Sequence, residues 1–65
     1  MIQYKVTGKG TVVTALHHND SYDIILEPGS IINYDEETRD MYYKHYLLSD
    51  YPSFHLKHGY IELNT

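Results

Sequence analysis

The chain has 65 residues and no cysteine, so we expect one small domain over residues 1–65 without disulfides or thiolate metal sites. Its net charge is −4 and its five Lys and Arg residues are scattered, which argues against nucleic-acid binding, because that requires a clustered positive face. The longest apolar runs, such as Ile24–Leu26, are far shorter than the roughly 20 residues that span a bilayer, and no signal-peptide pattern is visible, so we expect a soluble protein made inside the cell.

The N-terminal half of the chain predicts three strands. Apolar and polar residues alternate over residues 2–7, which indicates a half-buried strand. A glycine turn over residues 8–10 leads to a second strand over residues 11–16, which is rich in β-branched side chains. A polar loop over residues 17–21 then precedes a third strand over residues 22–26. Strands two and three are therefore expected to form a hairpin.

The middle of the chain changes character after a turn. Glu27-Pro28-Gly29-Ser30 predicts a type II turn, because Pro suits its second position and Gly its third. A short fourth strand is expected over residues 31–34. Asp35 then resembles an N-cap that starts a helix over residues 36–48, although the aromatic residues also permit a strand over residues 41–48. The predicted helix places these side chains on one face: Tyr42, Tyr43, Tyr46 and Leu47.

The C-terminal segment predicts a short helical turn and a last strand. Pro52 disfavours helix at the residue before it. A turn over residues 54–58 would end at Gly59, which suits the position after a helix, and a strand over residues 60–63 follows. We therefore predict an α+β, mainly β fold: a small antiparallel sheet or partly open barrel of about five strands with one helix near residues 36–48.

Nothing in the sequence matches a known catalytic or metal-binding pattern. His17 and His18 form one pair and His55 and His58 another, but zinc needs three or four ligands, so we expect exposed loop histidines and no metal. The acidic residues between positions 35 and 40 lack the spacing of a calcium loop. The glycines near residue 9 lack phosphate-loop spacing, and no serine lies in a nucleophile elbow. We expect no enzyme activity, no cofactor and no small-molecule substrate.

Tyrosine is unusually abundant, with eight residues in the chain. Tyrosine suits protein interfaces because it combines a large apolar ring with a polar tip. It also fits the surface of any pleated sheet, so abundance alone has two explanations. If there is an interface, we predict that it contains the helix-face tyrosines and an unpaired edge strand at residues 2–6. The interface residues are then Tyr42, Tyr43, Tyr46, Ile2 and Tyr4.

The region from Tyr22 to Leu63 resembles small accessory structural proteins of tailed bacteriophages. The resemblance depends on the strand Tyr22–Leu26, the turn Glu27–Gly29 and the closing segment His55–Leu63. It implies a virion component near the head–tail connector or on the capsid surface, made in the host cytoplasm. We therefore expect a non-catalytic structural or protein-interaction module, whose partners are copies of itself or larger assembly proteins. The alternative is a small acidic inhibitor of a host enzyme, whose acidic helix start mimics phosphates.

Overall fold

The computed structural model describes all residues from Met1 to Thr65 and consists of one antiparallel sheet and one short helix. The seven strands lie in the order β3-β2-β6-β5-β4-β1-β7, so β3 and β7 are the two edges. The mainly β, antiparallel prediction is confirmed, with seven strands where about five were expected. The elements are β1 (Ile2–Val6), β2 (Thr11–His17), β3 (Asp20–Leu26), β4 (Ile31–Asp35), β5 (Asp40–Tyr43), β6 (Tyr46–Leu48), α1 (Pro52–Lys57) and β7 (Ile61–Leu63).

The helix predicted over residues 36–48 is wrong. The Asp35 side chain does accept a hydrogen bond from the Glu37 N–H at 3.0 Å, as an N-cap would. However, Arg39 adopts a left-handed φ of 63°, and its N–H bonds to the Asp35 carbonyl at 2.7 Å. One helix-like turn therefore closes a four-residue loop between β4 and β5 and does not continue.

The alternative strand over residues 41–48 is correct except at its centre. A two-residue turn at Lys44 and His45 divides the segment into β5 and β6, and Lys44 has a φ of 54°. Tyr43 and Tyr46 are directly opposite each other across this hairpin. Spacings of i, i+1, i+4 and i+5 therefore arise from a tight hairpin as readily as from a helix.

The N-terminal strands lie where the sequence predicts them, but β1 is not an edge. β1 pairs with β4 on one side and with β7 on the other, so the predicted edge strand at residues 2–6 is wrong. Strand order depends on contacts between distant residues, which local patterns do not determine. The β2–β3 hairpin forms as predicted, with its turn reduced to His18 and Asn19.

One face of the sheet carries the hydrophobic core, and α1 covers part of it. Alternate residues of the strands point to this inner face, as expected for a sheet that buries one side. Pro52 and His55 are the buried residues of α1. The buried apolar cluster consists of Tyr4, Val6, Val13, Ala15, Leu26, Ile32, Met41, Leu48 and Ile61.

The short C-terminal helix is confirmed, and it begins slightly earlier than predicted, at Pro52. Gly59 follows it with a φ of 72°, a left-handed conformation that glycine adopts without steric cost. The Gly59 N–H bonds to the Leu56 carbonyl at 3.1 Å, and the Tyr60 N–H bonds to the His55 carbonyl at 2.9 Å. These two bonds form a Schellman motif, which satisfies the last carbonyls of the helix and directs the chain into β7.

We expect Gly10→Ala to destabilise the fold by about 1–2 kcal/mol, because Gly10 has a left-handed φ that a side chain disfavours. An added Cβ would also lie 3.2 Å from the Leu26 carbonyl oxygen. The matched control is Gly8→Ala, whose Cβ would meet nothing within 4 Å. Urea unfolding of the two variants measures the difference, and equal losses of unfolding free energy would contradict this reading of the turn.

Candidate functional site

A buried histidine joins the helix to the sheet. His55 is only 1% exposed, so the expectation that all histidines lie exposed in loops is wrong for this residue. Its Nε2 lies 3.1 Å from Asp50 Oδ2, and its Nδ1 lies 3.1 Å from Thr11 Oγ1. The other carboxylate oxygen, Asp50 Oδ1, accepts the Thr14 N–H at 2.7 Å. The chain of hydrogen bonds therefore connects α1, the loop before it and β2.

The order hydroxyl, imidazole, carboxylate is also that of a nucleophilic triad. A carboxylate only accepts hydrogen bonds, so a neutral His55 donates from Nε2 and accepts the Thr11 hydroxyl proton at Nδ1. A triad also needs donors for the developing oxyanion. The neighbouring Gly10 N–H is already bonded to the Thr7 carbonyl at 3.0 Å. That N–H is therefore not free to donate to an oxyanion, whereas the hydrogen bonds of His55 do connect α1 to β2.

An open cavity of about 540 Å³ lies beside this histidine, between α1 and the C-terminal end of β3. Thr11 and His55 contribute to its wall, and Lys9 and Glu27 are its charged residues. Most of the remaining lining is apolar or aromatic: Val12, Ile25, Leu26, Pro28, Phe54 and Tyr60. A cavity with this lining suits an apolar or aromatic side chain better than a charged group.

Three exposed apolar side chains line the same cavity. Ile25 is 78% exposed, Phe54 55% and Val12 51%, and Val12 is directly opposite Ile25 across the β2–β3 hairpin. Tyr22, on β3, is also exposed. We use the name β3 surface for the open edge of β3 together with the side chains of Val12, Tyr22, Ile25 and Phe54.

The backbone of β3 has hydrogen-bonding groups that β2 does not use. Asp23 is opposite Thr14. The Thr14 N–H and carbonyl bond instead to the Asp50 side chain and the Ser49 N–H. Antiparallel pairs alternate between hydrogen-bonded and non-hydrogen-bonded, so the N–H and carbonyl groups of Ser21, Asp23 and Ile25 face away from β2.

Four of the five predicted interface residues lie on the inner face of the sheet, in or against the core, and only Tyr42 lies on the other face. Tyr43 and Tyr46 lie on the inner face and pack against the core, as Ile2 does. Tyr42 lies on the other face, opposite Leu47. Tyr4 is itself part of the buried core. A helix would have placed the three later tyrosines on one side, whereas alternation along a strand separates Tyr42 from Tyr43.

Two carboxylates lie beside Tyr42. Asp35 and Asp40 are directly opposite each other at the start of the β4–β5 hairpin. Partial burial is the largest cause that raises the pKa of Tyr42, followed by the negative charges of Asp40 and Asp35. These groups make the phenolate form unfavourable, so Tyr42 remains a neutral hydroxyl over the physiological range.

The other histidines do not converge on a common site. His17 and His18 lie at the β2–β3 turn with their ring centroids 4.2 Å apart. His58 packs on Phe54 and stacks on Tyr60. No group of three or more His, Asp or Glu side chains is placed to hold a metal ion.

Comparisons with protein-family models, curated proteins and solved structures gave no match. The resemblance of residues 22–63 to phage accessory proteins therefore stays a prediction. No helix of the structure is long and apolar enough to cross a membrane.

We expect Asp50→Ala to lower the free energy of unfolding by about 1–3 kcal/mol, because it leaves the buried His55 Nε2 and the Thr14 N–H without their acceptor. Asp20→Ala removes an exposed carboxylate of β3 and is the control, with an expected change below about 0.5 kcal/mol. In a His55→Ala background, Asp50→Ala should cost less, because the pair is already broken. Additive losses in denaturant unfolding would contradict the connection between the two side chains.

We expect Asp40→Asn to lower the pKa of Tyr42 towards the ordinary tyrosine value, because it removes a negative charge that opposes ionisation. The titration of the Tyr42 ring carbon bonded to the hydroxyl, followed by NMR, measures this shift. Glu36→Gln is the control, since Glu36 is not among the groups that raise this pKa. Equal changes of the Tyr42 pKa in both variants would show that the overall charge of the domain, and not the position of Asp40, raises this pKa.

Proposed function

We propose that this domain is a non-catalytic protein-interaction module that works as a small component of a larger assembly and binds its protein partners through the β3 surface. The observation that carries the proposal is an open seven-residue edge strand beside an Ile25 side chain that is 78% exposed. Unpaired edges accept an added strand from a partner, and exposed apolar side chains supply the affinity.

The two edges of the sheet differ in how well they are protected. Proteins usually guard an exposed edge with lysine, proline, a bulge or a very short strand. β7 has only three residues, so it offers little backbone to a partner. β3 has no lysine and no proline between Asp20 and Leu26. Asp20 and Asp23 are the only charged side chains on this strand. Because a long edge with so little protection invites aggregation in a protein that works alone, its presence favours a partner that covers it.

The cavity gives the β3 surface a place for an anchoring side chain. Interfaces commonly depend on one or a few aromatic or aliphatic side chains that fill pockets. Phe54 and Ile25 line the cavity while remaining largely exposed, so a partner can bury them without rearranging the core.

The resemblance to phage accessory proteins adds a proposed place for this module, a virion made in the host cytoplasm, on the capsid surface or near the head–tail connector. The alternative of an acidic enzyme inhibitor is weaker. Its phosphate mimicry depended on a helix that starts at Asp35, and that segment is a turn between two strands.

We expect Ile25→Lys to reduce binding to the native assembly at least tenfold, because a charge would be buried on the β3 surface. Leu56→Lys is the control, since Leu56 is also exposed but lies on α1 away from the β3 edge. The measurement is the amount of tagged domain that co-sediments with particles or complexes from the native source, after thermal melts establish that both variants are folded. The proposal fails if the wild type joins no stoichiometric complex, or if both variants bind equally.

A further inference from the structure

We infer that the β3 surface pairs with the same surface of a second copy of this chain, with the two β3 strands antiparallel about a two-fold axis at Ile24. This inference rests on the proposed function, since it names the partner of the interaction module. Three features of β3 carry it: its free backbone groups, the positions of its carboxylates and the cavity at its end.

The backbone of β3 can pair with itself. The groups of Ser21, Asp23 and Ile25 face away from β2, as the Thr14 contacts show. A two-fold axis through one residue of β3 pairs the residue before it with the residue after it, and so on outwards. Because the outward-facing residues are two positions apart, such an axis always pairs one outward-facing residue with another. The axis at Ile24 pairs Asp23 with Ile25 of the second copy, twice, which gives about four backbone hydrogen bonds.

The carboxylates disfavour two of the possible registers. An axis at Asp23 would place two Asp23 side chains directly opposite each other, and an axis at Ile25 would oppose Asp23 to Glu27. Like charges directly opposite each other are destabilising in a sheet. An axis at Ile24 opposes Asp23 to Ile25 and Ser21 to Glu27, so no two carboxylates are paired.

The cavity distinguishes the remaining registers. An axis at Tyr22 also avoids opposed carboxylates, but it leaves Leu26 and the cavity uncovered. An axis at Ile24 places Tyr22 of the second copy opposite Leu26. Leu26 lines the cavity together with Phe54, and the lining is mostly apolar, so it suits the ring of the incoming tyrosine. By symmetry each copy fills the cavity of the other. To do so the Tyr22 ring leaves its edge-to-face contact with Tyr46 of its own chain, where the ring centroids are 6.3 Å apart.

The expected contact is smaller than a typical permanent interface. Stable protein interfaces bury about 1,200–2,000 Å² in total, whereas this one consists of a single strand pair and two tyrosine side chains. We therefore expect a dimer that dissociates on dilution, and a concentration-dependent mass in sedimentation equilibrium. A wild type that remains monomeric up to millimolar concentration would overturn the inference.

The absence of cysteine allows each register to be tested with one substitution. A single introduced cysteine can form a disulfide only with a second copy, and only if the two Cα atoms lie about 4.4–6.8 Å apart. A non-hydrogen-bonded pair of residues on the two-fold axis meets this condition, with a Cα separation of about 4.5 Å. Ile24→Cys should therefore form a disulfide-linked dimer under mild oxidation. Tyr22→Cys, Asp23→Cys and Ile25→Cys report the competing registers and should link at least tenfold more slowly.

Rapid linkage of Asp23→Cys or Tyr22→Cys in place of Ile24→Cys would overturn the register, and equal linkage of all four variants would indicate random collision. Because Ile24 packs against the core, a thermal melt must show that its variant is folded.

A second variant tests the cavity independently. Tyr22→Ala should raise the dimer dissociation constant at least tenfold, whereas Tyr51→Ala, at an exposed tyrosine on the far side of α1, should leave it within twofold. Equal effects would overturn the role of Tyr22.

The two proposals fail in distinguishable ways. If the wild type stays monomeric but Ile25→Lys still abolishes binding to the native assembly, the second copy is the wrong partner and the interaction module stands. If the β3 surface variants change neither self-association nor assembly binding, both proposals fail.

Discussion

The hydrogen bonds of His55 hold α1 against the sheet, and the covered part of the core depends on that placement. α1 has only six residues and no side-chain cap at its start, and helices of this length are not stable on their own. Asp50 and Thr11 engage both ring nitrogens of His55, while the Schellman motif at Gly59 fixes the other end of α1. In a chain without disulfides, this buried connection takes the place of the disulfide or metal site that small domains usually need.

The sequence predicts those parts of the fold that depend only on neighbouring residues. The β1 and β2 strands, the Pro28-Gly29 turn and the helix end at Gly59 were all recognisable, because each depends on neighbouring residues. The segment from Tyr42 to Leu48 was ambiguous, since its spacing fits both a helix and a hairpin with a two-residue turn. The hairpin forms with Lys44 at a left-handed φ of 54°. This conformation is unusual for lysine, and no sequence pattern predicts it.

The candidate surface depends on strand order, and for that reason the sequence could not locate it. Alternation predicted that Ile2 and Tyr4 belong to a strand, but not that β4 and β7 would enclose that strand on both sides. The β3 edge is free because β3 pairs only with β2 and no strand lies beyond it in the sheet. The burial of His55 could not be predicted from the sequence either, because its partners Thr11 and Asp50 lie outside α1. An acidic residue five positions before a helical histidine was the only local signal.

Leu26 shows why stability and binding are linked in this domain. It is a buried member of the core, yet it also lines the open cavity beside Ile25 and Phe54. A partner side chain that enters the cavity therefore extends the core and does not form a separate contact. A domain of this size buries only about 60% of the surface that its unfolded chain exposes, so added apolar burial matters more here than in a larger protein. Since a partner that binds only the folded chain also stabilises it by mass action, occupancy of the β3 surface should make the fold itself more stable.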